Sequence, residues 1–361
     1  MKYYMPTKLY SESGCIGKHS AELAALGSHA LIITGKSSSK LNGSLDDVIS
    51  ALESRSVKYT IFDRVEENPS VGTVMAARDE GLACGADFVI GIGGGSPLDA
   101  AKAAALMMKN REKTWEFLYE TVPAEALPLA AVPTTCGTGS EVTGVAVLTR
   151  HDMRTKLSAK HKVFPDIALI DGKYLLKAPR KIIVNTAVDA LAHLIESAVN
   201  ACADVYSDMS VFSGLSLWRR CRPYIEGAEE LTAEGAQLLM DTAAAAGISI
   251  AQTGTTVPHS LSYMLTYNAG IPHGAAVGAF QSKYLKYAEK ERRNAVLSAA
   301  GFTDTDEMGE FIAALAPVSC DRELLERSAE AVMQNKAKLA LCPYEVTPAI
   351  MADIIELRTK S

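Results

Sequence analysis

Short apolar runs alternate with helical patterns in the first half of the chain. Five of these runs have the length and composition of buried strands, at residues 30–34, 59–63, 87–95, 127–135 and 167–171. Between them, residues 71–85 and 97–110 carry apolar side chains at helical spacing. Strands that alternate with helices predict βαβ units and a mostly parallel sheet, whose covered faces suit continuous apolar runs.

The pattern changes after about residue 178. From there Ala, Leu, Ile and Met recur at helical period, which predicts that the second half is all-helical. A chain of 361 residues is also long for a single hydrophobic core. We therefore expect an α/β domain at residues 1–178 and an all-α domain at residues 179–361.

Composition narrows the class of protein. Hydrophobic residues make up 48% of the chain, charged residues 22%, and the net charge is −6, which argues against a nucleic-acid-binding surface. The seven cysteines form no CxxC pair and indicate reduced thiols. The chain has neither an apolar leader at its start nor a membrane-length apolar stretch. We expect a cytoplasmic protein without nucleic-acid or membrane partners.

A glycine-rich turn connects the third predicted strand to a helix. Gly93, Gly94 and Gly95 let the backbone approach a ligand closely. Ser96 is predicted to cap the helix, Pro97 to take its first position, and Asp99 to complete a capping box. A helix N-terminus offers free N–H groups and positive charge, so we expect a pyrophosphate here. Because the spacing is not GxGxxG, a plain tight turn is the alternative.

Two further loops follow predicted strands. Residues 133–143 offer two glycines and the hydroxyl groups of Thr134, Thr135, Thr138 and Ser140. Polar loops at the carboxyl ends of neighbouring strands form a nucleotide crevice, so the α/β domain is predicted to bind a nucleotide. The loop after the first strand has donors but no acid, in Gly35, Lys36, Ser37, Ser38, Ser39 and Lys40. NAD sites usually place an acid beside the adenosine ribose, so this loop favours NADP over NAD.

Four residues of the second half suggest a metal site. Asp189 and His193 are four apart on an amphipathic helix and therefore share a face. His259 and His273 are bracketed by Pro and Gly residues. One carboxylate and three imidazoles can hold Fe²⁺ or Zn²⁺, although the Asp–His pair alone is more often a simple polar contact. The remaining histidines are predicted to be surface or loop residues: His19, His29, His151 and His161.

Several motifs together resemble the iron-containing (group III) alcohol dehydrogenases, which share the fold of dehydroquinate synthase. The motifs are "GGGSPLDAAK" (93–102), "PTTCGTGSEVT" (133–143), "VDALAHLIE" (188–196), "HSLSYMLTYNAGIPHG" (259–274) and "VEENPS" (65–70).

The resemblance implies a role for each of these segments. Asp189, His193, His259 and His273 would hold the metal, and Gly93 to Pro97 would hold the pyrophosphate. The cofactor crevice would be lined by Asn68, Thr134, Thr135 and Thr138, with Lys156 near the nicotinamide ribose. The family also implies a homodimer.

One departure from the family concerns proton transfer. Many members have a histidine four residues after the first histidine of the last motif, where this chain has Tyr263. At i+4 from His259 the phenol should face the site, where it can donate a hydrogen bond, relay a proton or pack against the substrate. A second departure, Cys136, places a thiol in the cofactor loop.

The expected activity is hydride transfer between NAD(P)(H) and a small alcohol or aldehyde, with the metal as Lewis acid. Three alternatives stay open. A zinc-dependent polyol dehydrogenase of the glycerol type would share the fold. A dehydroquinate synthase-like cyclase would need basic residues beside the metal motifs, which are lacking there. A non-catalytic protein with a structural metal would need no nucleotide loop.

Overall fold

The computed structural model describes residues 3–357, which form two compact units. The α/β unit comprises residues 5–179 and 231–241, and the helical unit comprises the remaining described residues. The units are thus not the two continuous stretches divided at residue 178 that we expected. Residues 231–241 belong to the α/β unit because Gln237 accepts a 2.8 Å hydrogen bond from the Gly172 N–H, and Asp241 accepts one from the Ser11 hydroxyl.

The α/β unit is built on a six-stranded sheet. In chain order its strands are β1 (Lys8–Ser11), β2 (His29–Gly35), β3 (Lys58–Val65), β4 (Phe88–Gly93), β5 (Leu129–Pro133) and β8 (Ile167–Ile170). They lie in the order β1-β8-β5-β4-β2-β3, and every pairing is parallel. A separate antiparallel hairpin consists of β6 (Val147–Arg150) and β7 (Thr155–Ser158).

Helices cover both faces of this sheet. They are α1 (Cys15–Lys18), α2 (Ser20–Ala24), α3 (Ser38–Asn42), α4 (Ser44–Ser54), α5 (Val71–Cys84) and α6 (Gly95–Lys109). Along β2, Leu31 and Ile33 join one apolar core, whereas Ala30 and Ile32 join the core on the opposite face. This alternation, with period two, explains why the strand is apolar throughout.

The five predicted strands and two predicted helices are confirmed as β2, β3, β4, β5, β8, α5 and α6. The sequence did not reveal β1, β6 and β7. Each has only four residues and includes half-buried or exposed positions, so it carries no continuous apolar run.

The second half is helical throughout its described part, as predicted. Its helices are α7 (Arg180–Ala198), α8 (Val205–Glu226), α9 (Ala233–Thr253), α10 (Val257–Ala269), α11 (His273–Lys286), α12 (Lys290–Ala300), α13 (Thr305–Leu315), α14 (Arg322–Met333), α15 (Lys336–Leu339) and α16 (Pro348–Ile354). Helix α7 is buried from Ala187 to Ala198 and packs against α8 and α11. Within residues 3–357, no helix combines the length and apolar character that crossing a membrane requires.

Candidate nucleotide crevice and metal centre

The parallel sheet brings four polar loops to one edge. The loops after β2, β3, β4 and β5 all start at carboxyl ends of strands, where nucleotides bind in open α/β sheets. The Thr134 N–H donates a 2.9 Å hydrogen bond to the Gly93 carbonyl, which joins the two central loops. A Cβ added to Gly95 would lie only 2.7 Å from Thr138 Cγ2. Glycine is therefore required at position 95, where the loop after β5 packs against the turn that follows β4.

Helix α6 begins earlier than predicted. Its first residue is Gly95 and its N-cap is Gly94, and no side chain in the described part of the chain caps it. Ser96 and Pro97 thus lie within the first turn, and the predicted capping roles of Ser96 and Asp99 are wrong. The Ser96 hydroxyl instead accepts a 2.9 Å hydrogen bond from the backbone of Asn68. With no capping side chain, the first-turn N–H groups suit an anion.

Asn68 connects three elements of this edge. It has a left-handed backbone conformation with φ of 58°. Its N–H donates to Ser96 Oγ, and its carbonyl accepts a 2.7 Å hydrogen bond from Thr149 Oγ1. Its side-chain oxygen accepts a 3.2 Å hydrogen bond from the ammonium of Lys156, which is buried on β7. The structure thus brings together Asn68, Ser96 and Lys156, which are far apart in the sequence.

A buried lysine under the crevice was missed from the sequence. Lys102 is fully buried, and its ammonium donates to three oxygens of the loop after β5: Ser140 Oγ (2.7 Å), Thr143 Oγ1 (3.1 Å) and the Val145 carbonyl (2.9 Å). Burial lowers the pKa of Lys102 to about 8, against the attraction of Asp99. Burial also raises the pKa of the Glu141 carboxyl to about 7. A single lysine within the alanine-rich run "DAAKAAALMM" was the available signal.

The Asp99 carboxylate forms hydrogen bonds with the same loop and with the first residue of β6. It accepts a 2.6 Å hydrogen bond from Ser140 Oγ and a 2.9 Å hydrogen bond from the Val147 N–H. Burial raises the pKa of Asp99, although the charge of Lys102 opposes this effect. Asp99 therefore shapes the loop after β5 instead of capping α6.

The segment after β2, which runs directly into α3, has buried and exposed parts. Ser39 is buried, and its hydroxyl accepts a 2.8 Å hydrogen bond from Thr34 Oγ1. The exposed Lys40 pairs with Asp63 at 2.7 Å. The side chains of residues 36–38 are exposed. The buried Ser39 thus anchors α3 to the end of β2, and residues 36–38 offer donors to a ligand.

Three helices of the helical unit converge on one carboxylate oxygen. Asp189 and His193 lie one turn apart on α7, His259 is in the first turn of α10, and His273 is the first residue of α11. From Asp189 Oδ1, the ring Nε2 atoms lie at 3.5 Å for His259, 3.7 Å for His273 and 3.9 Å for His193. The structure therefore brings together all four residues that the sequence suggested.

These four residues fit a divalent metal ion. Asp189 Oδ1 and His259 Nε2 are buried and have no hydrogen-bond partner among residues 3–357. Ligand atoms of Asp189, His193 and His259 lie within 4.8 Å of one another. Buried polar atoms without partners are costly, and a cation with imidazole and carboxylate ligands removes that cost. The His273 side chain is 26% exposed, whereas that of Asp189 is 3% exposed.

The electrostatics of the cluster also favour a cation. Burial raises the pKa of the Asp189 carboxyl, but His193 and His273 outweigh this effect and hold the pKa well below its usual range. Burial lowers the pKa of His259, whereas Glu196 and Asp189 raise it, with a net rise to about 9. Two buried carboxylates thus attract positive charge to this site, as either a proton or a metal ion.

Two neighbours of the histidines complete the cluster. The sequence reasoning missed Glu196, which is fully buried and accepts a 2.5 Å hydrogen bond from His259 Nδ1. Its spacing of three residues from His193 on α7 was the available signal. The Tyr263 ring stacks on His273, with ring centroids 6.1 Å apart. Tyr263 thus borders the metal cluster beside His273.

The prediction for the other histidines is wrong for one of them, His29. His161 lies in a loop but is buried, and its ring nitrogen bonds the Phe117 carbonyl at 2.7 Å. His29 is half-buried on β2, where its ring bonds Thr60. His151 is exposed in the turn between β6 and β7.

Comparisons with known proteins agree with this arrangement. Residues 6–172 match the family model described as iron-containing alcohol dehydrogenase, and residues 183–340 match the C-terminal model of the Fe-containing alcohol dehydrogenase family. The long-chain primary alcohol dehydrogenase AdhA of Thermoanaerobacter ethanolicus is 30% identical, over 91% of this chain and 88% of its own length. The NADPH-dependent butanol dehydrogenase of Clostridium saccharobutylicum is 27% identical, over 80% of this chain and 74% of its own.

Solved structures show the same fold. The crystal structure of an iron-containing alcohol dehydrogenase from Thermotoga maritima superposes with a TM-score of 0.90 and 35% identity, covering 98% of each chain. The dehydroquinate synthase-like fold and the resemblance inferred from the motifs are thereby confirmed.

Proposed function

Since the chain belongs to the iron-containing alcohol dehydrogenase family, we propose that it is a metal-dependent, NAD(P)-linked enzyme that interconverts a small alcohol and its aldehyde. The observation that carries this proposal is the cluster of three imidazole Nε2 atoms around Asp189 Oδ1. The bound coenzyme would supply or accept the hydride that the carbonyl carbon gains or loses, and a proton would pass to or from the oxygen.

Asp189, His193, His259 and His273 would hold the metal. We propose Fe²⁺, with Zn²⁺ as the alternative, because imidazole and carboxylate ligands suit both ions. When bound, such an ion supplies a Lewis acid that polarises the aldehyde oxygen or makes the alcohol more acidic. The buried residues around Asp189 keep water away from this carboxylate, which strengthens its attraction for the ion.

The nucleotide would bind to the loops of the α/β unit. The uncapped first turn of α6, with Gly93 to Pro97, would bind the pyrophosphate, and Thr134, Thr135 and Thr138 would line the adjacent loop. Lys156 would approach the nicotinamide ribose from its position against Asn68.

We propose NADP(H) as the preferred coenzyme. Residues 35–40 contain no acid to bind the 2′-hydroxyl of NAD, and residues 36–38 leave one ammonium and two hydroxyl groups exposed toward a 2′-phosphate. One relative is NADPH-dependent according to its name.

Tyr263 would assist the proton transfer. Its ring stacks on that of His273, the most exposed of the four proposed ligands. A phenol can donate a hydrogen bond to the substrate oxygen and pass a proton to water. The residues around it, in "SLSYMLTYNAGI", are mostly apolar or aromatic, which suits a small substrate without strong charge.

Anaerobic turnover tests the proposal. Metal-stripped protein would be reloaded with Fe²⁺ or Zn²⁺, and the oxidation of NADPH and NADH would be followed with short aldehydes. We expect turnover that requires metal and is faster with NADPH. Absence of turnover with either metal, in protein that still binds the nucleotide, would contradict the dehydrogenase assignment. Zinc-dependent oxidation of glycerol in preference to simple alcohols would identify the polyol enzyme instead.

A further inference from the structure

Glu196 is the hydrogen-bond partner of a proposed metal ligand. Its Oε1 atom lies 2.5 Å from Nδ1 of His259, and both residues are buried. An ionised carboxylate can only accept, so Nδ1 must carry the proton of this hydrogen bond. In the neutral form of the ring, which is the form that binds a metal, the lone pair is then on the other nitrogen, Nε2, and this atom lies 3.5 Å from Asp189 Oδ1.

Three further donors fix the Glu196 carboxylate. Oε1 also accepts a 2.8 Å hydrogen bond from Gln281 Nε2. Oε2 accepts from the Thr256 N–H at 2.6 Å and from the Thr256 hydroxyl at 2.8 Å. Donors from α10 and its N-cap and from α11 thus hold a carboxylate on α7, and the acceptor for His259 cannot turn away.

Ser262 has a similar relation to a second histidine. Its hydroxyl donates a 2.7 Å hydrogen bond to the His259 carbonyl, which uses its only hydrogen. The same oxygen lies 3.2 Å from Nδ1 of His273, so it must accept there. His273 therefore also carries a proton on Nδ1, so in its neutral form the lone pair is on Nε2, the atom that lies 3.7 Å from Asp189 Oδ1.

We propose that Glu196 and Ser262 are positioning residues that hold His259 and His273 in the tautomer required for metal binding. The inference rests on the proposed metal centre and adds the groups that prepare its ligands. Partners of this kind orient metal-bound imidazoles in many proteins.

Glu196→Gln is the decisive variant, because it preserves shape and removes two acceptor positions. The Thr256 N–H can only donate, so the amide oxygen must face it and the amide nitrogen must face His259. His259 can then accept at Nδ1 only by moving its proton to Nε2, where Asp189 accepts it. Gln281 can turn its amide, because its oxygen has no partner in the described structure. The variant should therefore fold while its His259 Nε2 is protonated and closed to a metal.

The experiment measures the affinity for Zn²⁺ by competition with a chelator, and the visible absorption of bound Co²⁺. We expect Glu196→Gln to weaken Zn²⁺ binding by about 10- to 100-fold and to change the Co²⁺ spectrum. Ser262→Ala should weaken Zn²⁺ binding by about threefold to tenfold, because His273 loses a neutral hydrogen-bond acceptor. The matched control is Ser197→Ala, which removes a buried hydroxyl of α7 that accepts a 2.9 Å hydrogen bond from Thr253 Oγ1, and it should bind Zn²⁺ normally.

The outcomes separate this inference from the proposed function. If the unmodified protein binds no Zn²⁺ or Co²⁺, the metal centre is wrong and this inference falls with it. If the unmodified protein binds Zn²⁺ and Glu196→Gln binds it equally well with an unchanged Co²⁺ spectrum, the inference alone is overturned. If Glu196→Gln fails to fold, Ser262→Ala decides: weakened Zn²⁺ binding supports the inference, and unchanged binding overturns it.

Discussion

The Ser96 hydroxyl accepts a 2.9 Å hydrogen bond from the Asn68 N–H, which fixes the start of α6 against the loop after β3. On its other side, the glycine turn before Ser96 is packed against Thr135 and Thr138. The turn is therefore held between two loops, and the backbone itself forms the floor of the proposed pyrophosphate site.

Gly95→Ala should weaken nucleotide binding. The new Cβ would lie 2.7 Å from Thr138 Cγ2, so the loop after β5 would have to move away from the turn. We expect the Kd for NADPH, measured by fluorescence titration, to rise about tenfold, or about 1.4 kcal/mol. Gly17→Ala is the control, because its Cβ meets nothing within 4 Å. Equal affinity in Gly95→Ala would move the pyrophosphate away from this turn.

His259→Ala should abolish metal binding and turnover while nucleotide binding remains largely intact. The variant removes one of three buried residues proposed as ligands and leaves Asp189 without its nearest imidazole. Metal content after dialysis and NADPH titration check the two halves of this prediction. His19→Ala, which removes a half-buried imidazole of the α/β unit that bonds Glu12, should retain its metal. A fully active His259→Ala would refute the ligand assignment.

The sequence predicts those features that depend on local pattern. The strands β2, β4 and β5 are apolar runs, and Asp189 and His193 share a helix face by spacing alone. What it could not predict depends on contacts between distant segments. Helix α6 begins at Gly95 because Ser96 is engaged by Asn68, which no local capping rule contains. Glu196 matters because of its hydrogen bonds with three residues that are each more than fifty positions away in the sequence.

Glu141→Gln should change the pH dependence of stability. Burial raises the pKa of this carboxyl from 4.5 to about 7, so the folded protein keeps a proton that the unfolded chain has released in this interval. The free energy of unfolding therefore falls as pH rises from 4.5 to about 7, through the contribution of this group. Glutamine does not titrate. Above pH 7 the free energy of unfolding of the variant should therefore exceed that of the unmodified protein by up to about 3 kcal/mol.

Urea unfolding of both proteins at about pH 5 and about pH 8 measures this difference. The two free energies of unfolding should converge at the lower pH, where Glu141 is protonated in the folded state. Parallel pH profiles of the two proteins would show that Glu141 is ionised throughout.

Tyr263→Phe should lower kcat and leave Zn²⁺ affinity unchanged. The ring still stacks on His273, but the hydroxyl that would pass the proton is gone. We expect a loss of kcat of about 10- to 100-fold with little change in KM, together with an altered pH profile of kcat. Tyr267→Phe, one helical turn later on α10, is the matched control. An unchanged kcat would assign Tyr263 to packing alone.

Gly35→Asp should shift the coenzyme preference from NADPH toward NADH. Among residues 3–357, a Cβ at this position would meet within 4 Å only the Val65 carbonyl, at an ordinary 3.5 Å, so the end of β2 accommodates a side chain. A carboxylate there can bind the ribose hydroxyls of NAD and repels a 2′-phosphate. We expect the ratio of kcat/KM for NADPH to that for NADH to fall at least about tenfold.

Gly35→Asn separates charge from size in this prediction, because it has the same shape as the aspartate without its charge. Its effect on the kcat/KM ratio should be smaller and insensitive to salt, whereas the effect of the aspartate should shrink as ionic strength rises. Equal ratios in Gly35→Asp and in the unmodified protein would place the adenosine ribose away from the loop after β2, and the preference for NADP(H) would then lose its structural basis.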